Sequence, residues 1–248
     1  MDPRGKVALI TGGARIGVTV AETLAAHGCH VAVTYRASKE SADETVAKVA
    51  QRGAKGVAIP GDVREPEDVQ RIIATVKREL GRLDILINMA SVYTRTPFEQ
   101  LQLNKEEPWR ASIAVDLEGA YRCSLAAVPL MQQQGAGRII NFADWLAASG
   151  RPRYKDYLPY YVAKSGVMGL TEALALELAP HILVNAIAPG PILRPAGMSD
   201  EGEREVRHVT PLGRWGGPEE IAKTALFLVE TDFVTGECIR VDGGRHLR

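Results

Sequence analysis

Seven short runs rich in Val and Ile, at residues 6–10, 30–35, 56–59, 83–88, 138–142, 182–187 and 238–241, are spaced along the chain by longer stretches, and this alternation leaves few architectures open. Each run is bounded by Gly, Asp, Asn or Pro and reads as a buried strand. The intervening stretches at 18–27, 41–52, 66–80, 107–133, 157–178 and 218–229 carry helical patterns. Strands alternating with helices make βαβ units, and a series of these makes a parallel sheet with helices on both faces. The predicted fold is therefore α/β, a doubly wound parallel sheet of about seven strands. No linker rich in Pro, Gly or Ser and no internal repeat divides residues 1–248, which predicts a single domain. Residues 189–211 lack a clear period and are rich in Gly, Pro and charge, so they read as a substrate loop with short helices, a lid candidate.

Charge and cysteine usage narrow the function classes. Basic and acidic residues both number 30, so no global field recruits nucleic acid or an anionic membrane surface. No run approaches the length of a membrane span, and the opening residues lack the apolar core of a secretory signal, which predicts a cytoplasmic protein. Cys29, Cys123 and Cys238 are far apart, odd in count and without a C-x-x-C pair, so they read as free thiols. His27, His30, His181, His208 and His246 show no ligand spacing, and no metal is expected.

The first strand runs straight into Thr11-Gly12-Gly13-Ala14-Arg15-Ile16-Gly17 and then into a helix. A strand, a glycine turn and a helix N-terminus bring backbone N–H groups and the helix dipole to one place, which suits a pyrophosphate; glycines also end strands for purely steric reasons. The second strand ends in Tyr35-Arg36-Ala37-Ser38, with no carboxylate to meet a ribose hydroxyl. Arg36, supported by Arg15 and the Ser38 hydroxyl, would neutralise a 2′-phosphate; the plain alternative is a solvated arginine. Asp62 and Val63 follow the third strand, either against an adenine amine or as the cap of the helix starting near Pro66.

Near the start of a long helical pattern, Tyr160 and Lys164 stand one turn apart and share a face. A phenol is too weak an acid–base group at neutral pH, and an ammonium one turn away would bring it down toward working pH. Tyr161 and Tyr157 are rivals on spacing alone. A small-molecule substrate undergoing proton transfer is the chemistry this pairing suggests.

With Asn88-Met89-Ala90-Ser91, Pro189-Gly190 and Val241-Asp242-Gly243-Gly244 also in order, the chain resembles the short-chain dehydrogenase/reductase family from end to end. Within that family it is similar to the pteridine reductase branch, through Ala90-Ser91, Thr96-Pro97-Phe98, Asp144 where the typical member has serine, and Pro189-Gly190-Pro191-Ile192-Leu193. The resemblance implies a Rossmann-type domain and an NADPH-dependent reductase of a dihydrobiopterin- or dihydrofolate-type substrate. It implies catalysis by Asp144, Tyr160 and Lys164, and a substrate held by Ser91, Tyr93, Asp144 and Tyr160, with Tyr93 stacking on the pterin. Cofactor contacts would come from Gly12, Arg15, Ile16, Gly17, Tyr35, Arg36, Ser38, Asp62, Val63, Asn88, Ala90, Lys164, Pro189, Gly190 and Ile192. It also implies a homotetramer built through the helices at 107–133 and 157–178.

Four departures from the family pattern bear on that reading. The glycine turn is one residue shorter than T-G-x-x-x-G-x-G, Met89 replaces the second asparagine of N-N-A-G, Asp116 stands where the helix asparagine of the active site belongs, and the threonine after Pro189-Gly190 is missing. Asp116 would accept from water or bridge backbone near Gly119, and the Ile192 backbone would orient the nicotinamide. Two alternatives to a pterin reductase follow: a general carbonyl reductase of 3-oxoacyl or sugar-like substrates, and a dinucleotide-binding regulatory protein without turnover.

Overall fold

The computed structural model describes residues 1–103 and 106–248. In chain order the elements are β1 (Val7–Thr11), α1 (Ile16–Ala26), β2 (His30–Tyr35), α2 (Lys39–Gln51), β3 (Gly56–Pro60), α3 (Pro66–Leu80), β4 (Ile85–Asn88), α4 (Phe98–Gln102) and α5 (Glu107–Ser112). A π-helical segment (Ile113–Glu118) then leads into α6 (Gly119–Gln133), β5 (Gly137–Phe142), α7 (Trp145–Ala148), α8 (Leu158–Leu178), β6 (Ile182–Pro189), α9 (Asp200–Val209), α10 (Pro218–Glu230) and β7 (Cys238–Val241). The strands form one parallel sheet in the order β3-β2-β1-β4-β5-β6-β7, with Ala8 opposite Val31 on one side and Ile85 on the other.

Period-2 alternation along β1 sends Ala8 and Ile10 to one face and Val7 and Leu9 to the other. On the first face they meet Val20 and Leu24 of α1, Val49 of α2, and Ile221 and Leu228 of α10. The second face is covered by Val69, Ile72 and Val76 of α3, Met131 of α6 and Leu174 of α8. Because both faces are covered, the strands read as unbroken apolar runs, and each fully buried Ile or Leu contributes about 1.5–3 kcal/mol. The sheet order reverses at β1, with β2 on one side and β4 on the other, so the crevice at the C-terminal ends of these strands is the natural ligand position.

The predicted helix at 107–133 is interrupted. Its backbone stays helical through Ser112 and Gly119, but Ile113–Glu118 form a π turn that carries Asp116 inward. Gly119 permits the approach, since a Cβ there would lie 2.7 Å from Val63 Cγ2. Within 189–211, α9 is capped by Ser199, which accepts the Gly202 N–H at 3.1 Å, with acids in its first turn and Arg207 and His208 in its last.

Candidate active site

A cavity of about 1080 Å³ follows the C-terminal ends of the strands from the glycine turn to α8. At the turn, Gly12 has φ +65° and a Cβ there would meet Ala90 Cα at 2.9 Å, so only glycine lets β1 end this close to the loop after β4. Thr11 Oγ1 secures that loop by accepting the Met89 and Ala90 N–H groups at 3.2 and 3.3 Å. Despite the shortened turn, α1 starts at Ile16 after Arg15, with no side chain capping its first N–H groups. Met89 fills the space over the helix start, its sulfur 3.6 Å from where a Gly17 Cβ would be.

Arg15, Tyr35, Arg36, Asp62 and Val63 line the cavity, while Gly17 and Ser38 line a smaller pocket beside it. The Arg36 guanidinium is exposed, 3.8 Å from Asp62. Arg64 grips the same carboxylate at 2.6–3.0 Å, and this hydrogen bonding holds Asp62 below the usual carboxylate range. Asp62 is not the cap of α3, which begins at Pro66 after Glu65 with no capping side chain; its carboxylate is spent on Arg64 instead. Asn88 does not line the cavity. Its amide donates to Asn141 Oδ1 at 2.9 Å and Ser124 Oγ at 3.2 Å, and Asn141 in turn donates to Thr171 at 3.0 Å. Buried at this position, its side chain braces β4 against β5 and α6.

At the other end Tyr160, 8% exposed on α8, donates its hydroxyl to Asp144 Oδ2 at 3.0 Å. Asp144 Oδ1 meanwhile accepts the Leu146 N–H at 2.8 Å and caps α7, so one carboxylate serves the turn and the phenol together. Burial, helped by Asp144 and then Asp116, pushes the Tyr160 phenol well above its ordinary range. This reverses the expectation that Lys164 lowers it. The Lys164 ammonium, 3% exposed, is committed to Asp116 Oδ1 at 3.0 Å and the Phe142 carbonyl at 2.8 Å, and lies 5.6 Å from the Tyr160 ring centre. Asp116 also accepts the Ser91 hydroxyl and, at 3.1 Å, the Val92 N–H. The π turn delivers it to Lys164 and the loop after β4 rather than to a bridge near Gly119. Burial raises Asp144 as well.

Tyr93 is half-exposed, stacked on Tyr157 at 4.6 Å and edge-on to Tyr160 at 4.9 Å, so Tyr157 joins an aromatic wall and Tyr160 alone reaches the carboxylate. Tyr161 does not line the cavity. Pro189, Gly190 and Ile192 do; Gly190 is required because a Cβ would lie 2.5 Å from Asp242 Cβ, and the Ile192 carbonyl accepts the Gly217 N–H at 3.0 Å. Sequence reading missed Trp145, Arg153 and Arg245, which also line the cavity. The basic and aromatic run Arg151-Pro152-Arg153-Tyr154-Lys155 just ahead of Tyr160 was the available signal.

Residues 13–246 match a family model described as enoyl-(acyl carrier protein) reductase. A 3-oxoacyl-(acyl-carrier-protein) reductase FabG of Staphylococcus aureus is 37% identical over 248 residues, covering 98% of each chain. Among solved structures, a Serratia marcescens short-chain dehydrogenase/reductase double mutant superposes with a TM-score of 0.89 at 30% identity, covering 99% of this chain and 100% of that one. A gluconate 5-dehydrogenase from Burkholderia cenocepacia, in complex with NADP and tartrate, gives 0.88 at 30% identity, covering 100% of this chain and 98% of that one. These relatives lend no support to the expected pteridine reductase branch and favour the carbonyl reductase alternative.

Proposed function

The chain belongs to the short-chain dehydrogenase/reductase family, and on that premise we propose that it is an NADPH-dependent reductase of ketone carbonyls of the 3-oxoacyl type. One observation carries the reading: a buried phenol, kept protonated by its surroundings, donates to a carboxylate at 3.0 Å inside a cavity that continues to a glycine turn. A phenol in that state is a proton donor, which is what a carbonyl oxygen gaining negative charge requires.

The residues present fit a phosphorylated dinucleotide. Uncapped N–H groups at the start of α1 and the close-packed Gly12 turn suit a pyrophosphate, and Arg15 and Arg36, lining the same end of the cavity, would supply the cations a 2′-phosphate needs. The NADP reported with the Burkholderia enzyme supports that choice, and the Staphylococcus enzyme supports the substrate class. When bound, the dinucleotide supplies a hydride. Tyr160 Oη would give its proton to the substrate oxygen and regain one from solvent along the open cavity, while the Asp144 carboxylate, accepting from that Oη, holds it in place. Lys164, held by Asp116 and the Phe142 carbonyl, is the residue that would hold the nicotinamide ribose. Exposed Trp109, Tyr121 and Leu125 on α5 and α6, with Val162 and Leu176 on α8, support assembly of copies through these helices, which the mass in solution tests.

Oxidation of NADPH by 3-oxoacyl thioesters and diketones tests the activity. Tyr160→Phe is expected to lower turnover about 10²–10⁴-fold while NADPH still binds. Reduction of dihydropterins with no 3-oxo compound turned over would overturn the substrate class, and NADPH binding without any turnover would leave a dinucleotide-binding protein.

A further inference from the structure

Beyond Tyr160 the cavity wall gathers positive charge around one aromatic ring. Trp145, buried at the first position of α7 and directly after Asp144, has the Arg245 guanidinium 5.3 Å and the Arg153 guanidinium 5.9 Å from its ring centre. Tyr154 stands edge-on to the same ring at 6.2 Å and takes a hydrogen bond from Arg245 at 2.5 Å. Among the described residues, the other partners of these two arginines are neutral: the Val206 carbonyl at 3.3 Å and the Thr210 hydroxyl at 3.4 Å for Arg245, and the His246 carbonyl at 3.4 Å for Arg153. Lys155 beside them is exposed.

The acids of this wall are mostly committed. Asp156 is gripped by Arg95 at 2.7 Å and Asp144 by Tyr160 and the Leu146 N–H, so among the described residues lining this end Glu205 of α9 is the carboxylate left uncommitted. In a chain whose basic and acidic residues balance at 30 each, this is a local sorting of charge. A guanidinium laid on an aromatic face is weakly hydrated and keeps its outward N–H donors aligned, the arrangement that binds carboxylate or phosphate well.

We infer that Arg153 and Arg245, clamped on Trp145, form an anion subsite at the substrate end of the cavity, and that the enzyme takes carbonyl substrates carrying a carboxylate or phosphate at the end remote from the reacting carbonyl. The inference rests on the carbonyl reductase reading for its substrate and on the arginine–tryptophan cluster for its site.

Three 3-oxo esters of equal length, ending in methyl, carboxylate and phosphate, separate the possibilities. The anionic esters are expected to show kcat/KM about ten- to a hundredfold above the methyl ester, the worth of a hydrogen bond to a charged group, carried in KM; whichever anion gains more names the source. Arg245→Gln and Arg153→Gln should each remove most of that preference, while Lys48→Gln, at an exposed position of α2, keeps it. Equal kcat/KM for all three esters, or a preference untouched in both arginine variants, would overturn the subsite. Should no ester be reduced, the carbonyl reading has failed and the subsite is judged separately: malonate, which has no ketone, should quench tryptophan emission in the wild type and not in Trp145→Phe. Absence of quenching, or equal quenching in both, overturns it.

Discussion

At the glycine-turn end of the cavity, Arg15 and Arg36 stand in solvent with loose partners, a carbonyl at 3.5 Å and a carboxylate at 3.8 Å. At the Tyr160 end, Lys164 and Asp116 are buried together at 3.0 Å, with the Phe142 carbonyl, the Ser91 hydroxyl and the Val92 N–H as further partners. Exposed charges contribute little to the fold and stay available to a ligand, whereas a buried pair fixes geometry and is costly to break. One end is thus arranged to bind and release, and the other to hold a proton donor in place.

Removing one member of the buried pair should give the larger effect. Asp116→Ala leaves an ammonium inside with the Phe142 carbonyl as its acceptor among the described residues, and urea unfolding should report a loss of about 3–5 kcal/mol; Asp116→Asn, which still accepts the Val92 N–H, should lose less. A loss below about 1 kcal/mol for Asp116→Ala would mean that the two ends do not differ in the way described.

Reversing charge at the exposed end should leave folding nearly untouched and act on the ligand. Arg36→Asp is expected to weaken NADPH binding about tenfold or more relative to NADH, the worth of one charge-assisted hydrogen bond. Equal weakening of both dinucleotides in fluorescence titration would remove the 2′-phosphate role and blur the contrast.

The two ends also differed in how far they could be read from sequence. The strand runs, the glycine turn and the Tyr160–Lys164 spacing were legible because each is local: a period or a turn recurs within a few residues. Asp144 was legible through the resemblance, standing just after β5 where the typical member has serine, though its double use as cap and phenol acceptor was not. The Lys164–Asp116 pair joins α8 to a π turn, and no local pattern in Ile113–Glu118 announces the extra residue that rotates Asp116 inward. For the same reason Lys164 was read as tuning Tyr160, when a carboxylate distant in sequence had already taken its charge. Asn88 reads as a cofactor contact from its motif, and strand register brings its side chain to Asn141. The cluster on Trp145 brings together α7, the segment before α8 and the chain's last turn, a convergence that only the fold reveals.

The claim that Tyr160 works as a protonated donor set by burial and Asp144 is tested most directly by the pH profile of NADPH-dependent carbonyl reduction in wild type and Asp144→Asn. A phenol delivering its proton is competent below its pKa and fails as pH rises through it, so a raised phenol keeps the reductive rate level far into alkali. Replacing Asp144 removes a nearby negative charge and the acceptor that favours the protonated form, so the phenol falls and the alkaline limb should move about 1 pH unit or more lower. An alkaline limb at the same pH in both proteins, or at higher pH in the variant, would contradict the account.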